Sequence, residues 1–495
     1  MRDRAGELVS KLRSRLRPPL AGRPSTRVRG DLPVRLTPGM HRAVRLEVRN
    51  LTAMPLRSAG REPVQLGSRW FDEAGAYLTD GPRARLGPSL WPRASRTLDL
   101  MVAAPPTPGR YELRVAPVRE FVTWFDDVDP RNGLRASCEV AASEGPDPAG
   151  LPGLSAMVAQ TEAGPEIYRP SAFWTELCEL HASYLQDEAS FGSFKRTVNF
   201  FYFQFAVGDR NADMYRALLR ELLRHPTARV LCARMPEHTA AALPGAPAYD
   251  RPWIAKAYAV YVAMLWELAR RRGAASLLDR LEEPTLGRPL AIRYRGRSIS
   301  QDLANSALEL AAVLESLPSP LSASPRLLEI GGGYGRLAFA VLETVPGARY
   351  VMVDIAPALA VAQRYLTSIF PHLPAFRFRR FDDGAAVADE LAASRIAFLT
   401  PDQLELLEPL GAEVALTVSS LHEMLPALVR RYLQLVDRHC DGLFYTKQWQ
   451  RWHNPVDDVV MVREDYPYPE GWRRVFERPH PAQPAFFEAL YATRP

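Results

Sequence analysis

In the stretch LLEIGGGYGR, residues 327–336, four of the five positions 331–335 are glycine, and an acid, Glu329, stands two residues ahead of them. Glycine in an ordinary element loses the most backbone freedom on folding, so a cluster points to main chain that must approach something closely. An apolar strand-like run enters the cluster and a helical pattern, LAFAVLETV, leaves it. A glycine turn between strand and helix presents backbone N–H groups and the positive helix N-terminus to a nucleotide-like ligand. The plainer alternative is a tight turn with no ligand, which four glycines in five positions disfavour. Nineteen residues after Gly335 comes Asp354, closing the run YVMVD. A carboxylate there can accept hydrogen bonds from both hydroxyls of a ribose, although an Asp at a strand end is also a common helix cap. Further on, SSLHEML sets His422 beside Glu423, a pair suited to moving a proton or merely to capping a helix. KQWQRWHNPVDD gathers Trp449, His453, Asp457 and Asp458. Its rings could stack on a sugar and its polar groups could approach a cation, but the spacing matches no defined metal site. A substrate loop built on Trp449 and His453 is therefore the expectation ahead of a metal site, with a plain surface loop as the remaining alternative.

These residues need a parallel sheet to bring them together. Over the last 170 or so residues apolar runs alternate with helical patterns: RLLEI, LAFAVLETV, YVMVDI, ALAVAQRYLTSIF, IAFLT, EVALTVSS, ALVRRYLQLVDRH and GLFYTKQ. That alternation indicates parallel strands with helices on both faces. WRRVFER and FFEALYATR read as a final hairpin. Residues 167–318 read as mainly helical. Ser298 and Gln301 fit a capping box, followed by an apolar stripe of Leu303, Ala307, Leu310, Leu314 and Leu317. The run FFYFQF, 200–205, reads as core, or less often as a cavity wall. Residues 254–268 are too short to span a bilayer and contain Lys256 and Glu267, so they read as a buried helix.

Ahead of this, residues 28–145 read as an antiparallel β-sandwich. Val44, Leu46 and Val48 alternate with Arg45 and Glu47, as Tyr111, Leu113 and Val115 do with Glu112 and Arg114. Turn residues punctuate the runs. Trp70, Phe71, Trp91, Trp124 and Phe125 supply large core residues or a binding rim. The expected organisation is thus a basic arm (1–27), the sandwich (28–145), a Gly/Pro/Ala/Ser linker (146–166, beginning in sequence near 142), a helical region (167–318) and an α/β domain (319–495).

The 495 residues are 47% apolar and 24% charged, enough for large cores, with a net charge of +6 carried mostly by arginine. No zinc-finger, helix-turn-helix or RNP pattern is present, so nucleic acid is not an expected partner. The four cysteines show no CxxC pair, which disfavours a disulfide framework or structural zinc and fits a reducing, cytoplasmic setting. The N-terminus is charged from the start, without a signal peptide's apolar core. Leu8, Leu12 and Leu16 share a face among basic residues. Membrane contact through that arm is a lesser reading than a frayed or docked arm. Oligomeric state is left open.

The dinucleotide fingerprint wants a third glycine where Arg336 stands. E-x-G-x-G-x-G instead resembles motif I of the class I methyltransferases. LLEIGGGYGRLA, YVMVDIAPALAVAQRYL and SLHEM, with the upstream EEPTLGRPLAIRYRGRSISQDLANSALEL, resemble the sugar O-methyltransferases of bacterial polysaccharide and glycoside gene clusters. The resemblance covers roughly 165–495 and leaves out the sandwich, whose pattern loosely resembles glycan-binding modules of such systems. It implies S-adenosylmethionine as cofactor, with Glu329, Gly331, Gly333 and Gly335 at its methionine end and Asp354 at its ribose. It places Gln403, after the third strand, near the adenine. It implies a sugar or glycan hydroxyl as acceptor, with His422 as general base and Glu423 orienting it or acting as base itself. A catalytically inactive glycan-binding scaffold is the alternative from another class, and a nicotinamide oxidoreductase a weaker one.

Overall fold

The computed structural model describes residues 24–36, 41–58, 62–87, 89–105, 107–140, 151, 153–183, 185, 191–196, 216–220, 223, 228–235 and 252–494. The basic arm up to residue 23, the part of the linker at 142–150 and the aromatic run 200–205 lie outside them. The chain divides at about residue 145 into two compact units.

In the N-terminal unit, strands Thr26–Arg29, His41–Asn50 and Ser95–Ala103 form one antiparallel sheet. A second sheet runs Arg35–Leu36, Leu134–Val140, Gly109–Arg119, Val64–Asp72, Tyr77–Arg85. Both feed one apolar core that includes Val44, Leu46, Val48, Leu66, Trp70, Leu113 and Val115. The residues that alternate in sequence therefore do turn one face inward. The aromatics divide. Trp70 is fully buried, its indole N–H donating to the Ala103 carbonyl at 2.5 Å, and Phe71 and Phe125 are buried too. Trp91 is exposed. Trp124 is covered by the guanidinium groups of Arg69 and Arg83 at 4.3 and 4.6 Å from its ring.

In the second unit the sheet is built from β1 (Arg326–Ile330), β2 (Arg349–Val353), β3 (Ile396–Leu399), β4 (Ala412–Val418), β5 (Cys440–Trp449), β6 (Arg473–Pro479) and β7 (Phe486–Ala492). Its order is β3-β2-β1-β4-β5-β7-β6, with the two-residue strand Ala375–Phe376 beyond β3. Strands β1 to β5 are parallel; β7 runs antiparallel to both its neighbours, completing the expected hairpin with β6. The parallel strands are apolar on both faces because helices cover both. The main covering helices are α2 (Arg336–Thr344), α3 (Ala358–Ile369) and α4 (Pro426–His439). This is a doubly wound sheet. The chain leaves β1 toward β2 and β3, then returns to β4 on the other side, so a crevice opens beyond the carboxyl ends of β1 and β4.

The upstream helices belong to the same compact unit as this sheet. Helix α1 (Gln301–Leu314) buries Leu303, Ala307 and Leu310. Its cap is Ser300, whose hydroxyl accepts from the Leu303 N–H at 3.1 Å. Ser298 is not the cap, because it pairs with Arg293 in a short hairpin. Helix Pro252–Ala269 is buried along most of its length. Leu154–Ala163, inside the stretch read as linker, is helical; Leu154, Met157 and Thr161 face inward at helical spacing. Lys195 and Glu283, both buried, pair at 2.7 Å, and Lys195 also donates to the Tyr365 hydroxyl on α3 at 3.1 Å. None of the four cysteines, all among the described residues, forms a disulfide. Among the described residues no helix is long and apolar enough to cross a membrane.

Candidate functional site

The glycine loop sits at the head of the crevice. Gly331, Gly333 and Gly335 take φ of 72°, 59° and 88°, values that L side chains adopt only at a cost of roughly 1–2 kcal/mol each. Two of the three are held by close packing as well. A Cβ on Gly331 would lie 1.9 Å from the Ser420 hydroxyl, and one on Gly335 2.9 Å from Leu366. Gly333 differs: a Cβ there would meet nothing within 4 Å. Its backbone borders open space, which is what a close ligand approach needs.

The loop is tied to the sheet through its own amides. Gly331 N–H donates to the Val353 carbonyl at 2.8 Å, and Gly333 N–H to Asp354 Oδ2 at 2.7 Å. Asp354 Oδ1 accepts from the Ile355 N–H at 2.7 Å. Burial raises the Asp354 carboxyl to about 7 despite those two N–H donors, and the nearby Glu423 adds to the rise. Glu329 is buried and receives the Tyr350 hydroxyl at 2.7 Å. Burial likewise lifts it to about 7, against the opposing Tyr350 hydrogen bond.

A cavity of about 320 Å³ opens over this loop, within the range of small-molecule sites. Glu329, Gly331–Gly333 and Asp354 line one side, and Ser419, Ser420 and Glu423 the other. Ser419 holds φ 56°, a strained value for a non-glycine residue at the end of β4. Most of the remaining wall is apolar and includes Ile355, Val361, Met424 and Leu428. The cavity thus offers a glycine backbone open to a ligand, one buried carboxyl (Glu329), one half-buried carboxyl (Asp354) and an apolar wall. That set suits a ligand with a polar tail, a sugar and a flat base.

The expected site residues do not all converge. Glu329, Gly331, Gly333, Asp354 and Glu423 line the cavity; Gly335 stands behind them as the residue preceding α2. Gln403 does not line it. Its side chain is buried, with Oε1 accepting from the Thr400 N–H at 3.1 Å and Nε2 donating to the Arg379 carbonyl at 2.8 Å. It caps the helix Pro401–Leu406. His422 is buried behind Glu423, boxed by Trp452, Trp449 and Phe486 at ring separations of 5.3, 6.4 and 6.4 Å. Trp449 packs in that box, against Phe486 at 4.6 Å. His453 sits on the exposed hairpin Arg451–Asn454/Val459–Val462, with its Nε2 4.0 Å from Asp458. Neither Trp449 nor His453 lines the cavity.

Sequence reading passed over the segment Glu166–Trp174, which roofs the cavity. Tyr168 is buried there; its hydroxyl donates to Glu405, which Arg431 of α4 also grips at 2.6 Å. The signal was faint: three aromatics around a proline in EIYRPSAFW. Beneath the loop, Tyr334 donates to Asp302 of α1 at 2.9 Å, and Arg336 forks onto buried Glu309 at 2.7 and 3.1 Å. These contacts lock the glycine loop to α1.

No family model matches the chain, and no curated protein matches it. Among solved structures it is similar to the mitomycin 7-O-methyltransferase MmcR, at 20% identity over 39% of this chain and 58% of that one, TM-score 0.25. It is similar to 1,6-didemethyltoxoflavin-N1-methyltransferase of Burkholderia thailandensis, described with S-adenosylhomocysteine, at 16% identity over 39% of this chain and 79% of that one, TM-score 0.28. A SAM-dependent methyltransferase from Aquifex aeolicus matches at 12% identity over 37% and 89%, TM-score 0.24. Each match spans well under half of this chain, and the first covers less than two thirds of its counterpart.

Proposed function

We propose that the chain is an S-adenosylmethionine-dependent O-methyltransferase acting on a sugar hydroxyl of a glycan or glycosylated metabolite. The observation that carries the reading is one cavity, at the switch point of a doubly wound sheet, shared by Gly333, Asp354 and Glu423. Glu329 and the side-chain-free backbone of Gly331–Gly333 would border the methionine end, and Asp354 the ribose hydroxyls. The cofactor, when bound, supplies a methyl group on a positive sulfonium. The protein's part is to seat the acceptor oxygen in line with that methyl, exclude water, and take the hydroxyl proton. Attack on that methyl would form the oxygen–carbon bond and leave the carbon–sulfur electron pair on sulfur, with Glu423, which lines the cavity, receiving the hydroxyl proton. The sugar acceptor rests on the sequence resemblance of 165–495. A glycan-holding role for the N-terminal unit, with exposed Trp91 as its contact, rests on the looser likeness of residues 28–145 to glycan-binding modules, and a cytoplasmic setting rests on the cysteine pattern.

Calorimetric titration with S-adenosylmethionine tests the reading. Binding by the wild type and its loss in Asp354→Ala are expected. No heat in the wild type would favour a non-enzymatic scaffold, and tight NADH binding instead would favour an oxidoreductase.

A further inference from the structure

Behind the cavity wall, the side chain of Gln448 on β5 is fully buried and makes five hydrogen bonds whose directions are not interchangeable. Its Nε2 donates to the Thr417 carbonyl at 3.3 Å and lies 3.1 Å from the Thr446 hydroxyl. Its Oε1 accepts from the backbone N–H of Ser420 at 3.1 Å and of His422 at 3.4 Å. A carbonyl can only accept and a backbone N–H can only donate, so the amide has one orientation. The same Oε1 lies 2.9 Å from His422 Nδ1, so Nδ1 must carry the hydrogen. In the neutral ring, Nε2 is then a bare lone pair.

That nitrogen neighbours Glu423. Nε2 lies 3.5 Å from Glu423 Oε1, and neither Nε2 nor Glu423 Oε2 has a hydrogen-bond partner, though both are buried. Two acceptors facing each other have room for one proton between them. Aromatic rings enclose the imidazole. Among the described residues, Asp354 across the cavity and Tyr466 both lie near enough to feel the Glu423 charge.

We propose that Gln448, His422 and Glu423 form a proton relay in which Glu423 faces the acceptor hydroxyl, His422 Nε2 draws the proton inward, and Gln448 is the positioning residue that fixes the tautomer. This deepens the methyltransferase reading and rests on it. In the step, the acceptor O–H gives its proton to Glu423 and its electron pair to the new oxygen–carbon bond. The resulting Glu423 O–H then donates to His422 Nε2. Of the two roles that the sequence leaves open for Glu423, orienting His422 or acting as base itself, the relay takes the second. Only Glu423 reaches the cavity.

The test is nitrogen-15 NMR of histidine-labelled full-length protein, with His422→Gln to assign the ring signals. Wild type should show His422 protonated at Nδ1 and bare at Nε2. Gln448→Met, which removes the acceptor at similar volume, should give a mixed or Nε2–H tautomer; Gln448→Glu, which keeps an acceptor, should restore Nδ1–H. A wild-type Nε2–H ring, or a tautomer unmoved in Gln448→Met, overturns the relay. The paired readout is labelled-methyl transfer from S-adenosylmethionine to a panel of p-nitrophenyl glycosides. Gln448→Met should lower kcat on the best glycoside about tenfold or more, with KM for S-adenosylmethionine unchanged and Gln448→Glu partly recovering. An unchanged kcat also overturns the relay. Absence of transfer and of cofactor binding in the wild type counts instead against the methyltransferase reading, while the tautomer result decides the relay by itself.

Discussion

Substituting Gly333 by alanine separates a glycine kept for a ligand from one kept for the fold. At φ 59° alanine costs roughly 1–2 kcal/mol of strain, offset by about 0.4–1 kcal/mol from a stiffer unfolded chain. The new methyl meets no protein atom within 4 Å, so no clash is added. The net loss should be about 1 kcal/mol, or roughly 1–2 °C in Tm for a unit of this size. The methyl would occupy the space where a cofactor must lie against the backbone. S-adenosylmethionine affinity should fall at least about tenfold, equivalent to about 1.4 kcal/mol. Gly347 is the control. It has φ 72°, and its Cβ would sit 2.1 Å from the Ala323 carbonyl, so Gly347→Ala should lose more stability yet leave affinity unchanged in the protein that folds. Differential scanning fluorimetry and calorimetry give the two numbers. If Gly333→Ala binds within twofold of wild type, the cradle argument is wrong and the glycine serves only the turn.

Three further outcomes concern the ionisable groups of this unit. Asp354 and Glu329 are both raised to about 7 from ordinary carboxylate values by burial. The folded state therefore favours their protonated forms, and the stability they contribute is present at low pH and lost as pH rises through about 7. Asp354→Asn should accordingly gain on the wild type in thermal scans between pH 5 and pH 8. Because a ribose needs the ionised carboxylate, cofactor binding near pH 6.5 should release protons in the wild type, seen as buffer-dependent heats in calorimetry. Lys195→Met should destabilise by about 3–5 kcal/mol in urea unfolding by leaving Glu283 buried without its cation. Adding Glu283→Gln should recover much of that loss, and a non-recovering double variant would point to packing instead.

The parts of the site that sequence made legible are those where backbone geometry restricts the residue type. Three left-handed positions demand glycine, and an acid ending β2 is dictated by where the strand stops, so Gly331, Gly333, Gly335 and Asp354 could be read without coordinates. Side chains with several equivalent uses could not. Gln403 stands where a loop after β3 reaches toward a bound base, but the same position is the third residue of a helix beginning Thr-Pro-Asp-Gln. Capping satisfies its amide completely. Ser298 and Ser300 are equally good caps on paper, and only the hairpin pairing of Ser298 with Arg293 chooses between them.

The His422–Glu423 pair shows what decides such cases. Adjacent residues at a strand's end cannot both face a cavity in a tight 3-10 turn, and here Leu421–Glu423 form one. Which of the two faces inward depends on what the interior can satisfy. Gln448, 26 residues later on the neighbouring strand, presents a buried acceptor to the imidazole and nothing comparable to the carboxylate. A neutral ring can be buried with one hydrogen bond, whereas a carboxylate would need several donors or a cation. Burying the histidine and leaving the glutamate at the cavity is thus the arrangement with the smaller desolvation cost. It also leaves the carboxylate at the cavity, where an acceptor's proton would arrive, and the imidazole directly behind it.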